Sequence, residues 1–518
     1  MKMNKIIVFS TVSLLCLSTS LNAQSKLNRY QKNLMYEAEI YFLQGDYYYA
    51  SELYSELHEV APDDSEITGR LGICYFNIPP LRGEAEKYLE LAVDKNNTEA
   101  LFFLSKVRVS EYKFFDAIAL IEEYEQKPNR MKSATEIDHL KQSVNRAIKM
   151  VQKPLSVTIK NLGSAVNSTV HDYAPVWDNQ GEKLYFTSRR RFDSESEKDY
   201  SEQYDENIYL VNLKSEPLIT EAVPEPLNTR TNDAAVACSP DGKSLIFYRT
   251  SKDGFSGDLF ISQKEGYSWT EPEKLNSEIN SKYQEASACF GNRDGSIIYF
   301  SSDRPDGFGG KDIYKVARLP DGTWSKAQNL GEKINTPYND DGPFISLEGS
   351  LYFASQGHEN MGGFDIFCSI KEGDSFAQPI NLGYPINTPG DDVFFTIDPT
   401  GKMAYFSSER IGGYGLQDVY QIVFDDANNI IYKGELTTIG NQIPQNATIT
   451  LLNEESGNVE GFYQTDPQVG TFVLALNTNK KYTVMVEAEG YQTLEKTVFF
   501  GAEVNGASEV EEQILLSK

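Results

Sequence analysis

Four aspartates recur at matching places in the second half of the chain and are the residues best suited to chemistry. Asp258, Asp312, Asp365 and Asp418 each precede an aliphatic residue and an aromatic one. Carboxylates of this kind can ligate metal ions or act as general acids and bases. A catalytic group is needed once in a site, whereas these recur from repeat to repeat. The pattern therefore favours hydrogen bonds that cap turns or strands.

Other candidate groups lack the spacing that chemistry needs. The acidic pairs Asp340-Asp341 and Asp391-Asp392 suggest calcium, but the chain has no Asp-x-Asp-x-Asp-Gly loop, so we predict a solvated rim. Four cysteines far apart are predicted to be buried free thiols rather than a disulfide or a zinc site: Cys74, Cys238, Cys289 and Cys368. There is no Gly-x-Ser-x-Gly motif and no histidine placed beside a nucleophile. We predict no catalytic, cofactor-binding or metal-binding residue and no cofactor.

The elements that position these groups form a fivefold repeat. Each copy contains Tyr-Phe or Ile-Phe, and the phenylalanines are Phe186, Phe247, Phe300, Phe353 and Phe406, of which the last three belong to the clearest copies. The spacing is 53 residues, except for 61 between the first two. Such a period, with Asp-Gly and Thr-Gly turns between short strands, predicts an all-β propeller. Five blades are favoured; a sixth would need residues 155–159 to combine with strands near 421–424.

Aromatic residues at matching places of successive repeats have two interpretations. Trp269, Trp324 and Phe376 could form a binding rim, but their recurrence favours packing between blades. The first repeat alone contains a long insertion, 190–207. We expect function to lie where the copies differ, and this insertion is the largest difference.

Residues before the repeats have helical periodicity. Ala38, Tyr41, Gly45, Ala50 and Tyr54 lie at the diagnostic spacing of a tetratricopeptide repeat, in which small residues let two helices approach. Two weaker copies follow, and 134–151 is expected to cap them. The sequence thus predicts an α-helical tetratricopeptide solenoid over 27–151, which either grips a partner or serves as a spacer.

Composition and the first residues indicate an exported protein. Lys2 and Lys5 precede an apolar stretch and a small-residue run ending at Ala23, which predicts a cleaved signal peptide at 1–23. Cys16 follows Leu15, where a lipid-attachment signal requires a small residue. The net charge of −27 disfavours nucleic acid and anionic lipid as partners. No other stretch is long enough to be a membrane helix.

The tail, 430–518, has the alternating runs of a small β-sandwich. Lys433-Gly-Glu-Leu, Gly470-Thr-Phe and Gly490-Tyr491 resemble the carboxypeptidase regulatory-like domain, an accessory module in that family. The predicted fold class is thus multidomain: helical solenoid at 27–151, propeller at 155–428 and sandwich at 430–518.

The order of these modules resembles the PorE-like, OmpA-family periplasmic proteins of Bacteroidetes, whose propeller is WD40-like and of the TolB type. The resemblance implies a non-enzymatic periplasmic scaffold at the outer membrane, with partners such as the PorP/SprF-like β-barrels of type IX secretion and gliding. The chain departs from the family because no OmpA-like peptidoglycan-binding domain follows the sandwich. The alternatives are a sugar- or peptide-binding sensor and a propeller hydrolase or lyase.

Overall fold

The computed structural model describes most of the chain from residue 27 onward. The described ranges are 27–155, 157–178, 183–199, 203–251, 256–266, 268–424, 429–440, 442–444, 447–454, 457, 459–466, 469–477, 480–500 and 509–518. The predicted signal peptide and Cys16 lie outside them. Two compact units are present: 27–108 with 115–138, and 109–114 with 139–518.

The described residues contain seven α-helices, all before residue 152. They are α1 (Arg29–Leu43), α2 (Tyr47–Val60), α3 (Ser65–Asn77), α4 (Arg82–Asp94), α5 (Thr98–Ser110), α6 (Phe114–Glu125) and α7 (Ala134–Val151). Side chains accept the free N–H groups at the first helix starts: Asn28 caps α1, Asp46 caps α2 and Asp64 caps α3. Ala38 and Ala50 are fully buried and lie in one cluster with Tyr54, so α1 and α2 pack through small residues.

The prediction of a tetratricopeptide solenoid at the start of the chain is wrong. The helices are few and short, and two stretches of the predicted solenoid, 109–114 and 139–151, belong to the β-rich unit. Helix α7 shows the physical reason. The His139 ring stacks on Tyr338 at 4.5 Å, and Ser143 Oγ donates to Asn360 Oδ1 at 2.6 Å. Residues 139–151 of the last helix therefore dock on turns of the β-rich unit instead of capping a helical stack.

Five antiparallel sheets make up most of the β-rich unit. Sheet 1 contains β2 (Asp172–Asp178), β3 (Lys183–Ser188), β4 (Asn207–Asn212) and β5 (Thr220–Ala222). Sheet 2 contains β6 (Asp233–Cys238), β7 (Ser244–Thr250), β8 (Gly257–Glu265), β9 (Ser268–Trp269) and β10 (Glu273–Lys274). Sheet 3 contains β11 (Ala288–Phe290), β12 (Ile297–Ser302), β13 (Asp312–Ala317) and β14 (Gln328–Asn329).

Sheets 4 and 5 repeat the same order. Sheet 4 contains β15 (Asp340–Ile345), β16 (Leu351–Ser355), β17 (Asp365–Ser369) and β20 (Ile380–Asn381), with β18 (Lys371–Glu372) and β19 (Ser375–Phe376) as a separate hairpin. Sheet 5 contains β21 (Asp392–Ile397), β22 (Met403–Ser408), β23 (Asp418–Val423) and β1 (Thr158–Asn161). Since β1 pairs with β23, the segment considered for a sixth blade instead completes the fifth sheet.

The five sheets form a closed, propeller-like ring. The first strands contact one another in order, β2 with β6, β6 with β11, β11 with β15, β15 with β21, and β21 with β2. The repeated phenylalanines are buried, with Phe300 and Phe406 fully so, and they pack between neighbouring sheets. We call β2, β6, β11, β15 and β21, with the two or three residues before β11, the inner strands.

Two further sheets follow the ring. One contains β27 (Thr471–Asn477), β24 (Asn429–Thr438) and β30 (Glu509–Leu516), with β30 parallel to β24. The other contains β26 (Val459–Gln464), β25 (Thr448–Asn453), β28 (Lys481–Glu487) and β29 (Leu494–Phe499). Within the described ranges, no helix has the length and apolarity needed to cross a membrane.

Candidate functional site

Each inner strand begins with a buried acid, and in four sheets an arginine neutralises it. The pairs are Arg190–Asp172 at 2.6 Å, Arg249–Asp233 at 2.5 Å, Arg304–Glu285 at 3.3 Å and Arg410–Asp392 at 3.1 Å. We call these the arginine clamps. A buried carboxylate is tolerated when a cation and hydrogen bonds replace its water. The clamps therefore hold the start of the inner strand to the end of its neighbour.

Each clamp arginine also ties its sheet to the preceding turn. In sheet 5, Arg410 Nη2 donates to the Ile386 carbonyl at 2.8 Å, and the guanidinium lies over Phe406 and Tyr420 at 4.9 and 4.8 Å. A guanidinium can do this because its five donors and flat face serve three partners at once.

Sheet 4 lacks the clamp. Gly357 stands two residues after Ser355, the place that Arg304 and Arg410 occupy after their serines. The next residue, His358, takes over part of the role: its Nε2 donates to the Ile334 carbonyl at 2.8 Å. An imidazole thus replaces the guanidinium at the turn.

The acid of sheet 4 is left without a cation. Asp340 is fully buried, and its Oδ2 accepts from the Thr336 amide at 2.6 Å and hydroxyl at 2.9 Å. Its Oδ1 has no hydrogen-bond partner among the described residues. Burial raises the pKa of Asp340 to about 7. Burial also lowers the pKa of His358, so the imidazole offers no charge in return.

Bulges near the start of the inner strands set their spacing. Ala174 and Phe394 adopt left-handed φ values of 50° and 57°, a conformation that costs of order 1–3 kcal/mol for a residue with a Cβ. Hydroxyl groups of neighbouring sheets support two of the bulges. The Ala174 amide donates to Ser407 Oγ at 3.0 Å, and the Ala235 amide to Thr187 Oγ1 at 2.9 Å. These bonds join adjacent sheets and hold the inner strands apart.

The inner strands enclose a cavity of about 350 Å³. One end, which we call the polar end, is lined by Tyr173, Glu206, Tyr248, Gln284 and Ser287. The opposite end, the apolar end, is lined by Trp177, Pro240, Phe290, Phe344, Leu347 and Ile397. This volume lies at the lower limit of small-molecule sites, which are mainly apolar with a few polar groups. The cavity is the candidate functional site.

Two ion pairs flank the polar end. Arg189 Nη2 lies 2.6 Å from Glu206 Oε1, and Lys311 Nζ lies 2.8 Å from Asp341 Oδ2. Burial alone would raise the pKa of Asp341, but the Lys311 ammonium and nearby hydroxyls lower it below its ordinary value. The Asp341 carboxylate raises the pKa of Lys311 in turn. Both groups are charged at neutral pH and are neutralised by each other.

The recurring aspartates lie in the frame and not in the cavity lining. Asp312 accepts from the Phe308 amide at 2.7 Å, and Asp418 from the Gly415 amide at 3.0 Å. Asp365 accepts from the Met361 amide at 2.9 Å. Asp258 differs, since it pairs with Lys274 at 2.7 Å. Three of the four thus cap the turn before their strand, as the recurrence predicted.

The prediction of a solvated acidic rim is wrong. Asp340 and Asp392 are fully buried and Asp341 nearly so. The charge of Asp392 is compensated by Arg410 from the adjacent strand, and the charge of Asp341 by Lys311 from sheet 3. Asp391 is half-buried and accepts from the Phe364 amide at 2.8 Å.

The other candidate residues serve packing. Trp269 contacts Tyr185 of sheet 1 edge-on at 6.2 Å, and Phe376 contacts Tyr299 of sheet 3 at 5.8 Å. Trp324 packs on the same core cluster as Phe376. The thiols are free, with Cys74 and Cys289 buried and Cys238 and Cys368 half-buried. No group of three metal-ligating side chains occurs in the part of the chain that the structure describes.

The insertion of the first repeat borders the polar end. Arg189, just before the insertion, and Glu206, near its end, form the ion pair there. Further out, Arg230, in the turn before β6, binds Asp193 at 2.9 Å and Glu195 at 3.1 Å. Residues 200–202 lie outside the described ranges.

Sequence reasoning missed the cavity. Its visible signal is alanine on two inner strands: Ala234, Ala235 and Ala237 in sheet 2, and Ala286 and Ala288 in sheet 3. Because alanine is depleted in strands, five alanines on two inner strands indicate that small side chains are required there. The clamps had a signal as well, in the arginine that follows the repeated phenylalanine by two or four residues in four of the five copies.

Comparison with known proteins identifies no family. No family model and no curated protein matches the chain. An alpha-L-arabinofuranosidase from Lactobacillus brevis is 13% identical, with 49% of this chain and 90% of that one covered and a TM-score of 0.33. A prolyl endopeptidase is 13% identical over 61% and 38% of the two chains, with a TM-score of 0.26. A puromycin hydrolase is 12% identical over 66% and 55%, with a TM-score of 0.29. Similarity this low carries no inference about activity.

Proposed function

We propose that the chain is a non-enzymatic periplasmic scaffold that binds protein partners at outer-membrane machinery of the type IX secretion or gliding kind. One observation supports it most. The residues with reactive side chains that recur in the ring are engaged in building it, through the arginine clamps and the aspartate caps. A ring held this way is a rigid support, and rigid repeat folds present surfaces for binding.

The insertion loop, defined here as 190–199 with 203–206, supplies a candidate contact surface. Phe192 exposes 37% of its surface there, between charged neighbours. Aromatic residues surrounded by polar ones are frequent energetic centres of protein interfaces. The charged residues Arg191, Asp193 and Glu195 would form the rim of such a contact.

Crosslinking in isolated envelopes tests the scaffold. We expect recovery of an outer-membrane β-barrel protein with the parent chain, and about tenfold less with Phe192→Ala, since a central aromatic contributes more than about 1 kcal/mol. Ile370→Ala, at an apolar residue 60% exposed between β17 and β18, is the matched control and should leave recovery unchanged. Absence of any protein partner together with glycan turnover by the purified chain would refute the scaffold.

A further inference from the structure

The cavity forms where two sheets carry alanine at a position that holds larger residues in the other three sheets. The acids that open the inner strands fix the alignment between sheets, so the next residues correspond: Tyr173, Ala234, Ala286, Asp341 and Val393. Sheets 2 and 3 place alanine there. Both alanines line the cavity, as does Tyr173.

These alanines do not serve to bring the strands together. The inter-sheet bonds and the clamps set the distance between the inner strands, and the space beside the alanines stays open at about 350 Å³. Protein interiors are close-packed, and voids larger than a water molecule are few. Tyrosine and phenylalanine are abundant in this chain, yet they do not fill the centre of the ring.

The cavity is polarised from one end to the other. The starts of the inner strands meet at the polar end, as shown by Ser287 Oγ, which accepts from the Gly342 amide at 3.2 Å, and by the Tyr173 and Phe394 rings at 5.8 Å. Gln284 and Tyr248 also line this end. The apolar end offers aromatic and aliphatic carbon. The two ion pairs beside the polar end are closed on themselves, so the site presents dipoles without net charge.

We propose that this cavity binds a compact, uncharged small molecule with an apolar body and one hydrogen-bonding group, its apolar part toward Trp177 and Phe290 and its polar group toward Gln284. This goes beyond the scaffold role and does not depend on it. An ionic ligand is disfavoured because each charge at the polar end already has a partner. A sugar is disfavoured because it needs hydrogen-bonding partners over its whole surface, and the apolar end does not offer enough of them.

The test uses the full chain with 4-ethylphenol as the probe and fluorescence of the tryptophans as the signal, since Trp177 lines the cavity. We expect saturable binding with one site per chain. N-acetylglucosamine should produce no saturable change. Binding of the sugar in preference to 4-ethylphenol, or no saturable binding of 4-ethylphenol, would overturn the proposal.

Two variants locate the site. Ala286→Tyr fills the cavity with the side chain that sheet 1 carries at the same position. It should lower the affinity for 4-ethylphenol at least tenfold. Ala222→Tyr makes the same change on the exposed edge strand β5 and should leave binding unchanged. Equal affinity in both would place the probe elsewhere and refute the assignment.

Gln284→Leu provides a readout that does not depend on filling the ring. Gln284 is exposed, so the change preserves the frame. We expect 4-ethylphenol to bind about fivefold more weakly, the loss of one neutral hydrogen bond, while ethylbenzene keeps its affinity. If the variant binds both probes more weakly by the same factor, or binds both with unchanged affinity, the proposed orientation is wrong.

Discussion

The unclamped acid of sheet 4 makes a quantitative prediction about pH. Asp340 has an ordinary pKa of 3.8 and a pKa of about 7 in the folded chain. Because the pKa of Asp340 is raised in the folded chain, its contribution to the free energy of unfolding depends on pH. This contribution is fully present below pH 3.8, where Asp340 is protonated, and it is lost as the pH rises toward 7. A separation of about three pH units, at about 1.4 kcal/mol each, corresponds to about 4 kcal/mol. The Asp312 carboxylate adds to the cost of ionisation.

Asp340→Asn removes this titration. Relative to the parent, the free energy of unfolding of the variant should rise by about 4 kcal/mol between pH 4 and pH 8. At pH 8 we expect net stabilisation by about 1–3 kcal/mol, because the new amide leaves one hydrogen bond unmade in place of a buried charge. The comparison with the parent cancels His358, whose lowered pKa acts with the opposite sign and costs stability as the pH falls below 6.5.

Urea unfolding followed by tryptophan fluorescence measures the effect in the ring. All three tryptophans, Trp177, Trp269 and Trp324, lie in that unit. Asp172→Asn is the matched control at the same position of sheet 1. It should destabilise by about 2–4 kcal/mol at pH 8, since it leaves the half-buried Arg190 without its charge partner. A destabilising Asp340→Asn at pH 8, or a difference that stays flat from pH 4 to pH 8, would refute the reasoning.

Three further predictions concern the frame. Arg304→Met should lower the free energy of unfolding of the ring by about 3–5 kcal/mol, because Glu285 stays buried without a cation; a loss below 1 kcal/mol in urea would contradict the clamp. Gly362→Ala should cost about 1–3 kcal/mol by the same assay, since a Cβ would lie 2.2 Å from the Pro389 carbonyl oxygen. Burial raises the pKa of Cys289 to about 12, so iodoacetamide at pH 8 should label it only after unfolding; rapid labelling of the native chain would show an accessible thiolate.

The repeated strands could be predicted from the sequence because their signal is local. The 53-residue period and the aromatic pairs depend on short-range alternation, and Phe300, Phe353 and Phe406 are buried at equivalent places. The prediction for the helical region was wrong because its sequence signal is also local. Ala38 and Ala50 report how two helices approach, but they carry no information on where 139–151 docks, and that segment packs on sheet 4.

The burial of the acids could not be predicted, because compensation comes from other parts of the chain. Asp392 is neutralised by Arg410, 18 residues away, and Asp341 by Lys311, 30 residues away in sheet 3. From sequence, a pair of aspartates between turn residues is typical of a solvated surface. Only the register of the sheets shows that these carboxylates point into the protein.

The repeat also indicates where this ring can carry function. A clamp residue cannot vary alone, since loss of one partner leaves a buried charge and costs several kcal/mol. Positions at which one sheet departs from the others without such a loss are therefore the ones free to take another role. Ala234 and Ala286 depart by leaving space, and Gly357 with His358 departs by replacing a clamp beside Asn360, the residue that binds helix α7. The first departure opens the centre of the ring, and the second leaves Asp340, a buried acid with a raised pKa, without a cation in the sheet whose turns contact helix α7.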